Sequence, residues 1–261
     1  MRKLLGRESI AFLHGASMSI ASSPKIPKDR LFPKGFWDRP KLADRKTGDP
    51  TSDQIHLAVG QALSAWETAE ESFASLFQVL CQVNDYERFV TIGRVFGAIP
   101  TTYGRVSAAL AAAEVYFGRY WRIPEVQGEF RGLAKEIQLG GDLRNEIAHG
   151  KVLRLNVHDL DEKGARRSRD TGALLVAPAY ITGRTSLDPP PIEDDPIGLF
   201  KSNYRFNAAD ISRFASKFLQ LGHAITDYLS RVVKDPETKM PRYLMLMWRA
   251  DPEGFARKIP R

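Results

Sequence analysis

The 261-residue sequence contains one cysteine, Cys81, and few of the patterns that mark a catalytic or metal site. A single cysteine excludes an internal disulfide and a multi-cysteine metal cage, which is typical of proteins from a reducing cytoplasm. None of the five histidines is paired at metal-ligand spacing, and the P-loop, G-x-S-x-G and H-E-x-x-H motifs are absent. These absences argue against a nucleoside-triphosphate enzyme and a metal hydrolase, and they predict no metal and no cofactor.

The sequence also has no apolar run of membrane-spanning length. Residues 1–23 begin as a signal peptide does, but Arg7 and Glu8 interrupt the apolar region, so we interpret them as non-exported. From residue 23 to residue 50, Pro, Gly, Lys and Asp dominate without periodicity, a composition typical of a disordered linker. We therefore expect a cytoplasmic protein with no membrane partner and a basic, Pro-rich, disordered arm over residues 1–50.

Positive charge is concentrated in this arm. The net charge of the chain is +7, and residues 1–50 hold eleven Lys and Arg against five Asp and Glu, which accounts for six of those charges. Clustered Lys and Arg attract phosphate backbones. One hypothesis is therefore that the arm alone binds nucleic acid without sequence preference.

Apolar residues at three- and four-residue steps predict a helical bundle after residue 50. The first helix is expected to begin at Ser52 or Asp53 and to end near residue 80. Shorter helices are expected at about 87–98 and 101–117, and a fourth from Pro124 toward Gly150. Asn207, as the N-cap, and Asp210 predict a fifth helix that ends near residue 233. Short connections between the first four helices are typical of an antiparallel bundle.

The period changes to two after Gly150. Residues 153–158 alternate apolar and polar, and residues 173–181 are a second strand candidate, so we expect a β-hairpin insertion at about 151–184. Its polar tip would include Arg166, Arg167 and Arg169, either simply solvated or in contact with phosphate. The predicted fold is mainly α: an antiparallel bundle of four to five helices with a β-hairpin insertion. It occupies residues 51–235, and residues 236–261 form a tail that is docked on the bundle or binds a partner.

The stretch LRNEIAHGK, residues 143–151, places an arginine, an asparagine and a histidine within six positions at the end of the fourth helix. On a regular helix Arg144 returns to about 0° relative to Val126, the centre of the buried stripe. An unpaired buried guanidinium is unfavourable, so Arg144 either faces a cleft or pairs with an acid, and Glu70 is our candidate partner. Asn145 and His149 lie four residues apart and share a face.

These groups match what RNA cleavage without a metal requires. A neutral imidazole can accept the proton of the ribose 2′-OH, and an imidazolium can protonate the leaving 5′-oxygen. Arg144 can neutralise charge that develops on the phosphorane, and Asn145 can orient the phosphate or the imidazole. The alternative is a simple helix end, because a cation there complements the helix dipole and Gly150 accepts a left-handed cap.

The segment resembles the HEPN superfamily, all-helical domains whose signature is Arg, four to six residues, then His at the end of a core helix, often with Asn after the Arg. Arg144-Asn145-x3-His149 fits this signature, and the resemblance covers about residues 53–150 and 204–232. Arg7 and His14 satisfy the bare spacing as well, and we assign no function to them. The resemblance implies that Arg144 and His149 are catalytic, with Asn145 in support, in a homodimer whose two Arg/His pairs line one cleft.

By the same resemblance the chain is expected to be a metal-independent endoribonuclease in phage defence or a toxin–antitoxin system. It would leave a 2′,3′-cyclic phosphate and a 5′-hydroxyl, with RNA as its substrate and an antitoxin or regulatory protein as a further partner. Arg105, Tyr103 and Arg94 are secondary candidates for RNA or interface contacts, with surface or packing roles as the alternative. The rival interpretation is a non-catalytic HEPN-like module that dimerises or binds a nucleotide or partner protein.

Overall fold

The computed structural model of the chain describes residues 31–40, 48–82, 86–119, 123–160, 166–176, 205–234 and 241. In these residues five helices and a three-stranded sheet follow one another in this order: α1 Ser52–Leu80, α2 Tyr86–Gly97, α3 Thr102–Arg119, α4 Pro124–Ala148, β1 Lys151–Leu160, β2 Arg166–Val176, β3 Arg205–Phe206 and α5 Ala208–Val232. The predicted fold class, mainly α with a β-hairpin insertion, is confirmed. The predicted helix boundaries agree with the observed ones to within two residues.

The pairing of α1 with α5 forms the centre of the core. Each helix buries one stripe of apolar residues, and Trp66 of α1 meets Phe218 of α5 edge to face at 5.3 Å between ring centroids. Gly222 lies against Ala69, because a Cβ at Gly222 would be 3.4 Å from the Ala69 Cα. Each large side chain fully removed from water contributes about 1.5–3 kcal/mol, so this interface is a main source of stability.

The N-terminus of α5 is capped as predicted. The Asn207 side chain accepts a hydrogen bond from the Asp210 N–H at 2.8 Å, and the Asp210 carboxylate accepts one from the Asn207 N–H at 3.2 Å. Asp49 adds a further acceptor, because its carboxylate receives the Ala208 N–H at 2.6 Å. The predicted cap of α1 at Ser52 or Asp53 is wrong, since the N-cap is Thr51 and its side chain makes no capping hydrogen bond.

The sheet has the strand order β1-β2-β3 and is antiparallel throughout. The β1–β2 register runs from Lys151 opposite Val176 to Leu160 opposite Arg166, with an irregularity after Arg154. The prediction of Arg166, Arg167 and Arg169 at the hairpin tip is therefore wrong: they belong to β2, which begins before the predicted strand at 173. Main-chain pairing continues through this polar stretch because a ladder requires N–H and C=O groups rather than apolar side chains. The predicted end of the insertion near 184 and the tail at 236–261, apart from Pro241, lie outside the described residues.

Residues 31–40, which we name the strap, pack on α4 and α5. Trp37 is 5% exposed, lies 5.8 Å from Phe218 between ring centroids and donates its indole N–H to Glu136 at 2.6 Å. Phe32 and Phe36 stack on each other at 4.2 Å. The structure thus differs from the predicted disorder of residues 1–50 at this point, because three aromatic side chains within six residues bury enough surface to order a short segment. Residues 1–30 and 41–47 lie outside the described residues.

Residues 48–50 also contribute to the fold. Asp49 exchanges two main-chain hydrogen bonds of 2.8 Å with Ala173 of β2. Glycine is required on both sides of this contact: a Cβ at Gly48 would lie 2.2 Å from the Ala173 carbonyl oxygen, and Gly172 has φ of +98°. The end of the predicted arm is therefore joined to the sheet and, through Asp49, to the start of α5.

Gly140 of α4 provides a test of this packing. A Cβ there would lie 3.0 Å from the Trp66 ring, 3.3 Å from Trp37 and 3.4 Å from Leu221. Gly140→Ala is expected to destabilise the protein by about 1–3 kcal/mol through overpacking, despite the better helix propensity of alanine. Gly132→Ala on the same helix, where a Cβ would meet nothing within 4 Å, is the control and should raise stability by about 0.5–1 kcal/mol. Urea denaturation of both variants measures the difference, and equal effects would contradict the close approach.

Candidate functional site

The end of α4 carries the residues that the sequence singles out. His149 is the C-cap, with φ of −102° and ψ of 2°, and its main-chain N–H donates to the Asn145 carbonyl at 3.1 Å. This helical hydrogen bond places Asn145 and His149 on one face, as predicted. The helix ends before Gly150 as expected, but the left-handed cap is wrong, because Gly150 does not have a positive φ. Gly150 instead allows close contact with β2, since a Cβ there would be 2.7 Å from the Leu175 side chain.

Arg144 is not at the centre of the buried stripe, so that prediction is wrong. Its side chain is 32% exposed. In the last three turns of α4 the buried face shifts to the flank of the helix that carries Glu136, Leu143 and Glu146. The strap covers that flank. A helical wheel of α4 alone does not include the strap, and it therefore predicts a buried stripe centred on Arg144.

The guanidinium of Arg144 has few partners. One terminal nitrogen donates to the Asn145 side-chain oxygen at 3.0 Å, and the other lies 3.8 Å from a Glu67 carboxylate oxygen, beyond hydrogen-bonding distance. The Nε is buried and has no hydrogen-bond partner among the described residues. Glu67 itself is 61% exposed at its side chain, so this ion pair contributes little.

The predicted partner of Arg144, Glu70, pairs with Arg105 instead. One Arg105 nitrogen donates to the Glu70 carboxylate at 2.7 Å, and the guanidinium also donates to the main-chain carbonyls of Ile99 at 3.0 Å and Gly97 at 3.3 Å. These contacts tie α1 to the connection between α2 and α3. They give Arg105 a structural role and explain why Glu70 is not available to Arg144.

Tyr103 and Arg94 are both exposed, Tyr103 at 72%. The start of α3 lies close to the candidate site, since a Cβ at Gly141 would be 2.8 Å from the Thr102 side chain, one helical turn before Arg144. Tyr103 therefore projects from an element beside the end of α4. Arg94, in the last turn of α2, makes no hydrogen bond or ion pair with Arg144 or His149 in the part of the chain that the structure describes.

His149 is exposed, and its imidazole makes no hydrogen bond to any described residue. The structure thus brings Arg144 and Asn145 into direct contact, with the imidazole one helical turn after Asn145 and open to solvent. The group can offer a cation, an amide and a titratable ring to an anionic ligand. Among the described residues, no three His, Cys, Asp or Glu side chains are grouped as a metal site requires.

The strap supplies a site neighbour that sequence reasoning missed. Arg39 donates two hydrogen bonds of 2.6 Å, from Nε and a terminal nitrogen, to the two carboxylate oxygens of Glu146. Glu146 lies between Arg144 and His149 in the chain, and its side chain is only 4% exposed. The available signal was the aromatic cluster FPKGFW, residues 32–37, within an otherwise polar segment.

No known family, curated protein or solved structure matches this chain. No helix in the described residues is long and apolar enough to cross a membrane. The function of the chain is therefore inferred from the residues of the site, and the HEPN resemblance contributes as a hypothesis.

The two arginine pairs on α1 predict different losses of stability. Arg105→Ala should lower the free energy of unfolding by about 1–3 kcal/mol, because it leaves Glu70, whose side chain is 17% exposed, without its partner. Arg144→Ala should cost less than about 1 kcal/mol, since its ion pair is long and exposed. Urea denaturation of the two variants measures both values. A loss at Arg144 equal to that at Arg105 would show that Arg144 serves mainly as a structural ion pair.

Proposed function

We propose that the chain is a metal-independent endoribonuclease of the HEPN type, with Arg144, Asn145 and His149 at its site. The observation that carries the proposal is that the Arg144 guanidinium holds no carboxylate at hydrogen-bonding distance. Three other half-buried arginines, Arg39, Arg105 and Arg231, each hold a carboxylate at hydrogen-bonding distance. Arg144 has only the Asn145 amide at that distance, and its side chain is 32% exposed.

The proposed reaction needs only groups that the site and the RNA supply. An imidazole accepts the 2′-OH proton, the 2′-oxygen attacks the adjacent phosphorus, and the bond to the 5′-oxygen breaks as that oxygen receives a proton. Arg144 stabilises the negative charge that develops on the phosphoryl oxygens. In the homodimer that the resemblance implies, two imidazoles line one cleft, so that one can act as base and the other as acid.

The biological setting follows from the resemblance alone. A cytoplasmic role in phage defence or a toxin–antitoxin system is proposed, with RNA as the substrate and an antitoxin or regulatory protein as the controlling partner. The positive excess in residues 1–50 supports an anionic partner, since it raises the local concentration of RNA near the protein.

Purified protein is expected to cleave RNA in excess EDTA and to leave a 2′,3′-cyclic phosphate and a 5′-hydroxyl. His149→Ala and Arg144→Ala should each lower the rate by about 10²-fold or more, because each removes a group that acts in the transition state. Gel analysis of end-labelled RNA with mass spectrometry of the termini measures rate and chemistry. A strand with 2′-O-methyl groups at the cleaved positions is the substrate control and should stay intact.

Two controls separate this activity from contamination and unfolding. Arg231→Ala removes an arginine from an ion pair at the other end of α4 and should leave the rate within about twofold of the wild type. Circular dichroism spectra of all variants report whether they fold. Cleavage that requires magnesium, or that survives both site substitutions, would reject the proposed mechanism.

The non-catalytic alternative is favoured by a different surface. A shallow groove of about 570 Å³ runs between α1 and α5, with Leu57 and Leu219 exposed along it by 65% and 42%. Gly60, which has no side chain, and Ser64, whose side chain is small, also line the groove, and both permit another helix to approach closely. On this interpretation the face joins two copies of the chain, and Arg144 and His149 perform no chemistry.

A charge in this groove tests the alternative. If two copies meet there, Leu57→Glu should convert a dimer to a monomer, because it places two carboxylates in an apolar contact. Sedimentation velocity measures the mass, and Leu110→Glu, which alters an exposed leucine on α3, is the control. An unchanged mass for Leu57→Glu, together with EDTA-resistant cleavage by the wild type, would reject the alternative.

A further inference from the structure

Two buried carboxylates on α4 are held by the strap. Glu136 is 4% exposed and accepts the Trp37 indole N–H at 2.6 Å, and Glu146 is 3% exposed and accepts two hydrogen bonds from Arg39. A carboxylate removed from water is strongly unfavourable unless it is paired and hydrogen-bonded. The orientation of α4 that buries both glutamates therefore depends on the strap.

The second of these contacts lies within the candidate site. Glu146 follows Arg144 by two residues and precedes the C-cap His149 by three, so all three lie within six residues at the end of the helix. A forked arginine–carboxylate pair fixes both distance and direction, because two parallel hydrogen bonds must form together. Rotation of this turn about the helix axis would break the fork.

We propose that Arg39 is a positioning residue: through Glu146 it holds the last turn of α4 in the orientation that presents Arg144 and His149 together. This inference deepens the proposed function and rests on it for its catalytic readout. Arg39 does not contact the RNA in this proposal. It acts through the glutamate that lies between the two catalytic candidates.

Other strap contacts make Arg39 part of a firmly docked segment. Lys217 of α5 lies over the rings of Phe36 at 5.3 Å and Phe214 at 4.8 Å, which joins the strap to the same helix that carries Phe218. Burial is the main cause of the lowered pKa of the Lys217 ammonium group, which agrees with a position between two rings. Trp37 lies against Gly140, since a Cβ there would be 3.3 Å from its ring, so the strap contacts both α4 and α5.

The chain contains a matched control for the Arg39 fork. Arg231 donates two hydrogen bonds to the carboxylate of Glu129, near the opposite end of α4, and Glu129 is 8% exposed at its side chain. This second fork also joins α4 to another segment of the chain. It lies about 25 Å from Glu146 along the helix, at a rise of about 1.5 Å per residue, so its loss should not change the last turn.

The experiment compares Arg39→Ala, Arg39→Lys and Arg231→Ala in the full chain, at a temperature where all three are folded. Steady-state cleavage of an RNA oligonucleotide in EDTA gives kcat and KM. Hydrogen exchange reports the protection of residues 143–150. NMR spectra recorded over a range of pH follow the imidazole resonances of His149.

Arg39→Ala should lower kcat by about tenfold to 10²-fold with little change in KM, because misorientation of reacting groups affects the transition state more than binding. It should also increase exchange in residues 143–150 and shift the His149 resonances. Arg39→Lys keeps the charge but cannot form the fork, so it should give an intermediate kcat. Arg231→Ala should lower the melting temperature while leaving kcat, exchange at residues 143–150 and the His149 resonances near wild type.

The outcomes separate this inference from the proposed function. If Arg39→Ala and Arg231→Ala have the same effects on exchange and on the His149 resonances, Arg39 is only a stabilising contact and the inference is overturned. If the wild type does not cleave RNA in EDTA, the proposed function fails. In that case the exchange and NMR measurements alone still decide whether Arg39 orients the end of α4.

Discussion

The burial of two glutamates on one face of α4 is the constraint on which the candidate site depends. Glu136 and Glu146 are both removed from water, and among the described residues their side-chain hydrogen bonds come from the strap rather than from the five helices. Their partners, Trp37 and Arg39, come from a segment about one hundred residues earlier in the chain. The helix that carries the signature residues is thus oriented by a strap that composition assigns to a disordered arm.

This dependence explains which parts of the fold the sequence could predict. Helices α1, α3, α4 and α5 were predictable because each buries one apolar stripe against its neighbours, and a stripe leaves a periodic signal in the sequence. The Asn207 cap was predictable for a similar reason, since its partner Asp210 is three residues away. Contacts between residues a few positions apart depend on the local sequence, and so they can be predicted without the tertiary structure.

The errors at Arg144 and Glu70 share one physical cause, which is that a distant segment changes the surroundings of a local pattern. Arg144 was assigned to the buried stripe because the strap that turns the buried face toward Glu146 could not be seen in the helix itself. The sequence does not show that Glu70 pairs with Arg105, 35 residues later, because the packing of α3 sets the position of Arg105. Averaging composition over residues 1–50 likewise hid three aromatic residues between 32 and 37.

The end of α4 is held on two sides, and this bears on how an exposed group there can be well oriented. The strap holds Glu146 on one flank, while Gly150 brings the chain against Leu175 and leads directly into β1. Asp49 joins β2 to the start of α5, so the sheet is in turn fixed to the helix on which the strap packs. Helix ends normally fray, but here both the last helical turn and the residue after His149 are attached to the core. His149 is therefore an exposed residue whose main chain is constrained from both directions, so the general acid or base that we propose is carried on a fixed backbone.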